Sequence, residues 1–188
     1  MNEKEYTLYL ESKTEFANGN YQKGINILEN LAKMKNKNAI FDLGIINYNG
    51  LYVSKNIEKA VNLLLLSGDL GFKEAYFQLG KIYYEEYKNL LEAERFFLKC
   101  NDGKSKFYVG LINYKYLSKE KAVSYFYYAS KCHYHLSEYY LAKCYIDGEG
   151  TKKNINKGSF YLNLALENNI EDIFNLKDKL IRYKCINY

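Results

Sequence analysis

Four stretches of this 188-residue chain share one short grammar: small, any, aromatic, any, branched aliphatic, small. They are Ala39–Gly44 (AIFDLG), Ala75–Gly80 (AYFQLG), Ser105–Gly110 (SKFYVG) and Ser137–Ala142 (SEYYLA), and they start 36, 30 and 32 residues apart. A second block follows each one. It reads Lys59-Ala60-x-x-Leu63-Leu64, Glu92-Ala93-x-x-Phe96-Phe97, Lys121-Ala122-x-x-Tyr125-Phe126 and Lys157-Gly158-x-x-Tyr161-Leu162, with an isolated earlier copy at Lys23-Gly24-x-x-Ile27-Leu28. A period of this length marks an array of supersecondary units. A small residue admits a neighbouring backbone, and a large apolar residue one turn away fills the gap beside it. Between the blocks lie turn residues, Asn49-Gly50 in the first unit and Asp147-Gly148-Glu149-Gly150 in the fourth. The shorter middle units have Glu86-Tyr87-Lys88-Asn89 and Tyr116-Leu117-Ser118-Lys119 instead. Gly68, Gly71 and Gly103 stand where second helices should end, and read as left-handed caps. Each unit is thus expected to be a helix hairpin that cannot bury its face alone, so the hairpins stack into an all-α solenoid.

Composition agrees with that reading. Proline is absent, so helices can run uninterrupted, while Tyr alone contributes 22 residues and Trp none. A chain that is 48% hydrophobic and 17% aromatic is not a disordered one. The longest pure aliphatic run, Leu63 to Leu66, falls far short of the roughly 18 residues a membrane span needs. One repeat domain over 1–188 is expected, made of a degenerate N-terminal hairpin (1–38), repeats at 39–74, 75–104, 105–136 and 137–170, and a C-terminal capping helix (171–188). In the cap, Ile173, Phe174, Leu176, Leu180 and Ile181 interleave with Lys and Asp, apolar inward and charged outward.

The unit A-x-[aromatic]-x-L-G, then N-G, then K-A-x-x-[large]-[large], then a closing Gly resembles the SLR (Sel-1-like repeat) family, a relative of the tetratricopeptide repeats. Ala39 to Gly71 matches it best, keeping Val53, Ile57-Glu58-Lys59-Ala60 and Ser67-Gly68, and the resemblance spans about residues 39–172. Departures are visible. Ser54 and Lys152 stand where the family's loops often carry Pro, and Leu63, Phe96, Tyr125 and Tyr161 occupy its Trp slot. A secreted branch staples each hairpin with a Cys pair about eight residues apart, whereas Cys100, Cys132, Cys144 and Cys185 are 32, 12 and 41 apart. The resemblance implies a right-handed α-solenoid whose first helices line a concave groove for a peptide or partner protein.

On each first helix two ring positions seven apart share one face. They are Phe41/Tyr48, Phe77/Tyr84, Phe107/Tyr114 and Tyr139/Ile146, with Ile45, Lys81, Leu111 and Lys143 between them. The first ring of each pair fits packing within the repeat, a structural role. The second is less expected, because that slot is often small in the family. Tyr buries area at low entropic cost and keeps a hydroxyl, which suits a binding surface. The candidate partner-binding set is therefore Phe41, Tyr48, Phe77, Lys81, Tyr84, Phe107, Tyr114, Tyr139 and Lys143.

Charge gives the partner a sign. The first 100 residues hold 13 basic and 13 acidic side chains, and the remaining 88 hold 14 and 9, so the whole +5 lies in the second part. A solvated face explains this blandly, and an acidic partner explains it more sharply. Catalytic signatures are missing: no phosphate-binding loop, no nucleophile elbow, no zinc-protease helix, and only two His. No Cys pair has zinc spacing, and His133 and His135 stand too close in sequence to share a helix face. No cofactor, metal or membrane partner is expected. The N-terminus lacks a basic start and an apolar stretch, so reduced thiols in a cytoplasm are expected. The sequence points to a non-enzymatic protein-interaction module. The alternatives are a cytoplasmic immunity protein that neutralises a bacterial toxin by stoichiometric binding and, less favoured, a binder of single-stranded RNA.

Overall fold

Asparagine and serine set the helix starts. Asn56, Asn89, Ser118 and Asn154 each accept a hydrogen bond through the side chain from the backbone N–H three residues on, at 2.8, 3.2, 3.3 and 2.9 Å. Such caps contribute about 1 kcal/mol each. They fall one turn before the Lys/Glu-Ala/Gly block, so the second helix of every repeat begins at the same point in its grammar. Asn36 and Asp102 do the same for two first helices. The computed structural model describes residues 3–168, and among them are ten α-helices and no strand. They are α1 (Glu3–Ala17), α2 (Tyr21–Lys33), α3 (Lys37–Asn49), α4 (Ile57–Asp69), α5 (Lys73–Glu85), α6 (Leu90–Cys100), α7 (Gly103–Tyr116), α8 (Lys119–Lys131), α9 (Leu136–Asp147) and α10 (Ile155–Glu167). The expected capping helix lies outside the described residues. No helix among the described residues is long and apolar enough to cross a membrane.

The chain divides into two compact units, Met1–Cys100 and Asn101–Tyr188. In the first, three hairpins (α1/α2, α3/α4, α5/α6) bury Leu28, Leu31, Ala39 and Ile46 against one another, and Val61, Leu64, Leu79, Ile82 and Phe96 in a second cluster. The second unit packs α7/α8 and α9/α10. Its clusters centre on Phe107, Phe126, Ala129 and Leu141, and on Ala142, Ile146 and Leu162.

The small-to-large grammar works as a notch. A methyl group added to Gly44 would stand 2.9 Å from Leu64, and one on Gly80 or Gly110 would stand 2.6 Å from the ring of Phe97 or Phe126. The second large residue of each pair is thus the one that fills the first helix's notch. Full burial of such a side chain contributes about 1.5–3 kcal/mol. In the fourth repeat the roles reverse, with Ile146 of α9 entering the notch at Gly158 of α10.

Two of the expected glycine caps are corrected. Gly71 is left-handed (φ +88°), but Gly68 lies inside α4 and Gly103 opens α7. Both are there for contact: a side chain on Gly68 would meet the Tyr76 ring at 2.6 Å, and one on Gly103 would meet Cys132 at 2.6 Å. Lys35, Asn101 and His133 take the left-handed position after α2, α6 and α8, with φ of 59°, 57° and 58°.

Candidate partner-binding face

The structure sorts the nine candidate residues by depth. Phe77 and Phe107 are each 2% exposed, so they are core and leave the partner-binding set. The physical reason is crowding of the ring by neighbouring rings: Phe77 lies 5.4 Å from Phe97 of its own hairpin, and Phe107 sits among Phe126 of its own hairpin and Tyr134 and Tyr140 of the turn and helix that follow, at 5.0–5.7 Å. Phe41 is half-buried and tilts onto Phe72 at 4.7 Å. Tyr84 is half-buried near the end of α5, and Lys81 reaches Glu85 at 4.0 Å one turn on. Tyr139 is half-buried with its edge on Tyr140 at 5.3 Å. Lys143 places its ammonium 5.4 Å from the centre of the Tyr114 ring.

Tyr48 and Tyr114 do something the sequence pattern did not specify. Each lends its hydroxyl to a carboxylate of the next repeat. The Tyr48 hydroxyl donates to Glu86 Oε1 at 3.3 Å, while Lys55 pairs with the same oxygen at 3.1 Å and lies 5.2 Å from the Tyr48 ring centre. In the second unit the Tyr114 hydroxyl donates to Glu149 Oε2. Lys119 holds the other carboxylate oxygen at 2.8 Å and lies 5.3 Å from the Tyr114 ring. A third copy joins α1 to α3. The Tyr9 hydroxyl donates to Asp42 Oδ2 at 2.7 Å, and Lys13 pairs with that oxygen at 2.6 Å and lies 4.9 Å from the Tyr9 ring.

Each clasp closes a triangle of hydroxyl, carboxylate and ammonium over a ring face, and cation–π attraction adds to the ion pair. The pKa directions follow. Burial, then the hydrogen bond to Glu149, pushes the Tyr114 phenol well above its ordinary value. Burial and then Asp42 do the same to Tyr9, and burial and then the Glu86 charge to Tyr48. The hydrogen bond from Lys119, seconded by Tyr114, holds the Glu149 carboxyl below the ordinary range; Lys55 does this for Glu86. Burial and the nearby Glu149 charge push the Cys144 thiol up to about 12, so it is an inert core residue.

The acidic partners, the clasping lysines and Tyr9 were not picked out from the sequence. A signal for them exists. Tyr and acid stand 33, 38 and 35 residues apart in the three clasps, which is one repeat length.

On the first-helix side of the second unit, the half-buried groups are Tyr139, the Tyr114 ring and Lys143, with exposed Lys119 beside them. Two ammonium groups converge on one ring, with the carboxylates of Glu149 and Asp147 acting on the same phenol. This arrangement can hold an anionic side chain against an aromatic surface. It offers no nucleophile with an activating base, and among the described residues no three His, Cys, Asp or Glu side chains gather to hold a metal ion. His133 and His135 lie in the turn between α8 and α9 with rings 6.4 Å apart. Cys132 and Cys144 are free thiols, and Cys185 lies outside the described residues.

Notched hairpins joined by clasps one repeat apart define a class, the helical-hairpin repeat proteins. Within it, a family model described as the Sel1 repeat matches residues 37–72, 73–99 and 135–170, more than half of the chain, and the chain belongs to the Sel1 repeat family. The α7/α8 hairpin falls between matched segments, yet has the same notch. A Sel1 repeat protein from Oxalobacter formigenes superposes with a TM-score of 0.73, over 90% of this chain and 75% of that one, at 17% identity. A protective antigen of uropathogenic Escherichia coli strains with an SLR fold gives 0.68 at 22% identity, over 77% of this chain. This chain spans 33% of that protein's length. An immunity protein from Pseudomonas aeruginosa gives 0.48 at 13% identity, over 89% of this chain and 83% of that one, a likeness too loose to bear on function. At these identities the fold is what is shared. The sequence matches no curated protein.

Proposed function

We propose that this protein is a non-enzymatic binding module that takes an acidic partner protein or peptide on its first-helix faces. The observation that carries the reading is the pairing of Lys143 and Lys119 around the Tyr114 ring, which sets two ammonium groups on one aromatic face. Tyr139 adds a half-buried ring one turn from Lys143 on α9. An amphipathic ring and an ammonium group side by side suit a partner that presents carboxylates beside apolar groups. The Sel1 repeat fold itself supports protein binding.

Capture of partners from the source cell with the full chain as bait, followed by mass identification, tests the proposal. Lys143→Glu and Tyr139→Ala should each weaken binding of the identified partner by about tenfold or more with the helical circular-dichroism signal retained. The reading falls if both variants bind as well as the parent chain. It also falls if the captured species is RNA whose binding collapses as salt is raised, the behaviour of phosphate contacts. A toxin as the captured partner would narrow the module to an inhibitor.

A further inference from the structure

The loop after α3 and the loop after α9 follow one backbone path. Leu51 N–H bonds the Ile46 carbonyl at 3.0 Å and Asn56 N–H bonds that of Asn47 at 2.8 Å; Glu149 to Cys144 and Asn154 to Tyr145 repeat both bonds at the same lengths. Gly50 and Gly148 are both left-handed, with φ of 68° and 75°. Two residues on, the fourth loop has Gly150 at φ 69°, and the first has Tyr52 at φ 63°. A bulky L-residue is strained there and persists only when its surroundings hold it.

Both loops lean on the same place in the hairpin before them. The Lys-Gly and Lys-Ala blocks set α2 and α8 in register, with Lys23 matching Lys121. In that register Tyr21 matches Lys119, each the first residue of its helix, and Phe16 matches Tyr114. Gly150 rests its backbone against Lys119, and its neighbour Glu149 holds Lys119 and Tyr114. Tyr52 meets the matching pair with its ring: it stacks on Tyr21 at 4.0 Å and 15°, and on Phe16 at 5.6 Å and 28°. Phe16 lies at the end of α1 and Tyr21 opens α2, so one ring spans both helices of the hairpin. The next residue, Val53, packs against the cluster that holds Leu28 and Leu31 of α2. Leu51, at the place of Glu149, has no carboxylate to offer, and the ring makes the contact instead.

We infer that the loop after α3 is a strap that holds the α1/α2 hairpin closed on the rest of the first unit, with Tyr52 as its fastening. The backbone strain at Tyr52 is retained because a ring at that position is what reaches both helices. With the ring gone, α1 and α2 open together as a local unit while the hairpins that follow stay folded, since regions of one structure open with different free energies.

Amide hydrogen exchange of the full chain, read by mass spectrometry on peptides from each helix, tests the strap. In Tyr52→Ala, α1 and α2 should exchange about tenfold faster, the consequence of losing two ring contacts. Helices α5 to α10 should stay within about twofold of the parent chain. Tyr52→Phe keeps the ring and should exchange as the parent does. Tyr52→Gly separates ring from backbone: it relieves the left-handed strain, yet should open α1 and α2 as the alanine variant does. Should Tyr52→Ala not fold, the unstrained glycine variant gives the same readout. Unchanged exchange in α1 and α2 without the ring, acceleration spread evenly over all ten helices, or parent-like protection in Tyr52→Gly overturns the inference.

Discussion

The loops after α3 and α9 trace the same path and reach the preceding hairpin by opposite means. In the fourth repeat Gly150 lets the backbone close in; a side chain there would meet the Lys119 carbonyl at 2.1 Å. Its neighbour Glu149 then clasps Tyr114 and Lys119. In the first repeat Leu51 stands where Glu149 does and is exposed, while Tyr52 props a ring against Phe16 and Tyr21. The same pair of hydrogen bonds therefore fixes where a loop goes without fixing what it does on arrival. A glycine brings the backbone itself to the preceding hairpin, and at the same place a tyrosine sends its ring.

The largest expected effect contrasts the two left-handed positions. Gly150→Ala should cost about 3 kcal/mol or more, a drop in melting temperature of roughly 6–12 °C. Tyr52→Gly relieves backbone strain while losing ring stacking, and should stay within about 1 kcal/mol of the parent. Calorimetry that ranks the two together would show that the loops are not equivalent. Next come the clasps. Tyr114→Phe leaves Glu149 to Lys119 alone in the more crowded site and should cost about 1–2 kcal/mol by thermal melting. Tyr48→Phe, on an exposed carboxylate already paired with Lys55, should move melting by only about 1 °C. A larger loss at Tyr48 would reverse the ranking of the two units.

The smallest effect is read by pH. Glu149 titrates below the ordinary value of 4.5 in the folded chain, so its contribution is present above that pH and disappears as pH falls through the depressed value. Glu149→Gln should therefore flatten the acid side of the stability profile, and Glu86→Gln should flatten it less. An unchanged acid limb in Glu149→Gln would mean that the clasp contributes nothing to folding.

The helix-hairpin fold and its notches were legible in the sequence because they follow from spacing. A small residue and a pair of large ones recur at fixed places in every repeat, so the notch itself follows from spacing, whereas which large residue fills it, Leu64 at Gly44 and Phe126 at Gly110, is set by the packed hairpin. The candidate site was legible only in part. The seven-residue spacing puts Phe107 and Tyr114 on one helix face, but it does not say that Tyr134 and Tyr140 close over the first while a glutamate 35 residues on takes the second. Depth depends on neighbours that one helix's period does not encode. Tyr52 was hidden for a different reason: only loop alignment through backbone bonds shows that it replaces a glycine.

The clasps also bear on how such an array can change length. A chain of near-copies invites deletion or exchange of a copy, and notches alone would permit it, since each is filled from within its own hairpin in the first three full repeats. The tyrosines do not. Tyr9 finds its acceptor within the next repeat's first helix, at Asp42, whereas Tyr48 and Tyr114 find theirs beyond that helix, at Glu86 and Glu149. Moving a copy to a new neighbour would strand a phenol without its carboxylate and a carboxylate without its lysine. The order of these repeats is thus written into polar side chains one period apart, and the copies are no longer interchangeable bricks.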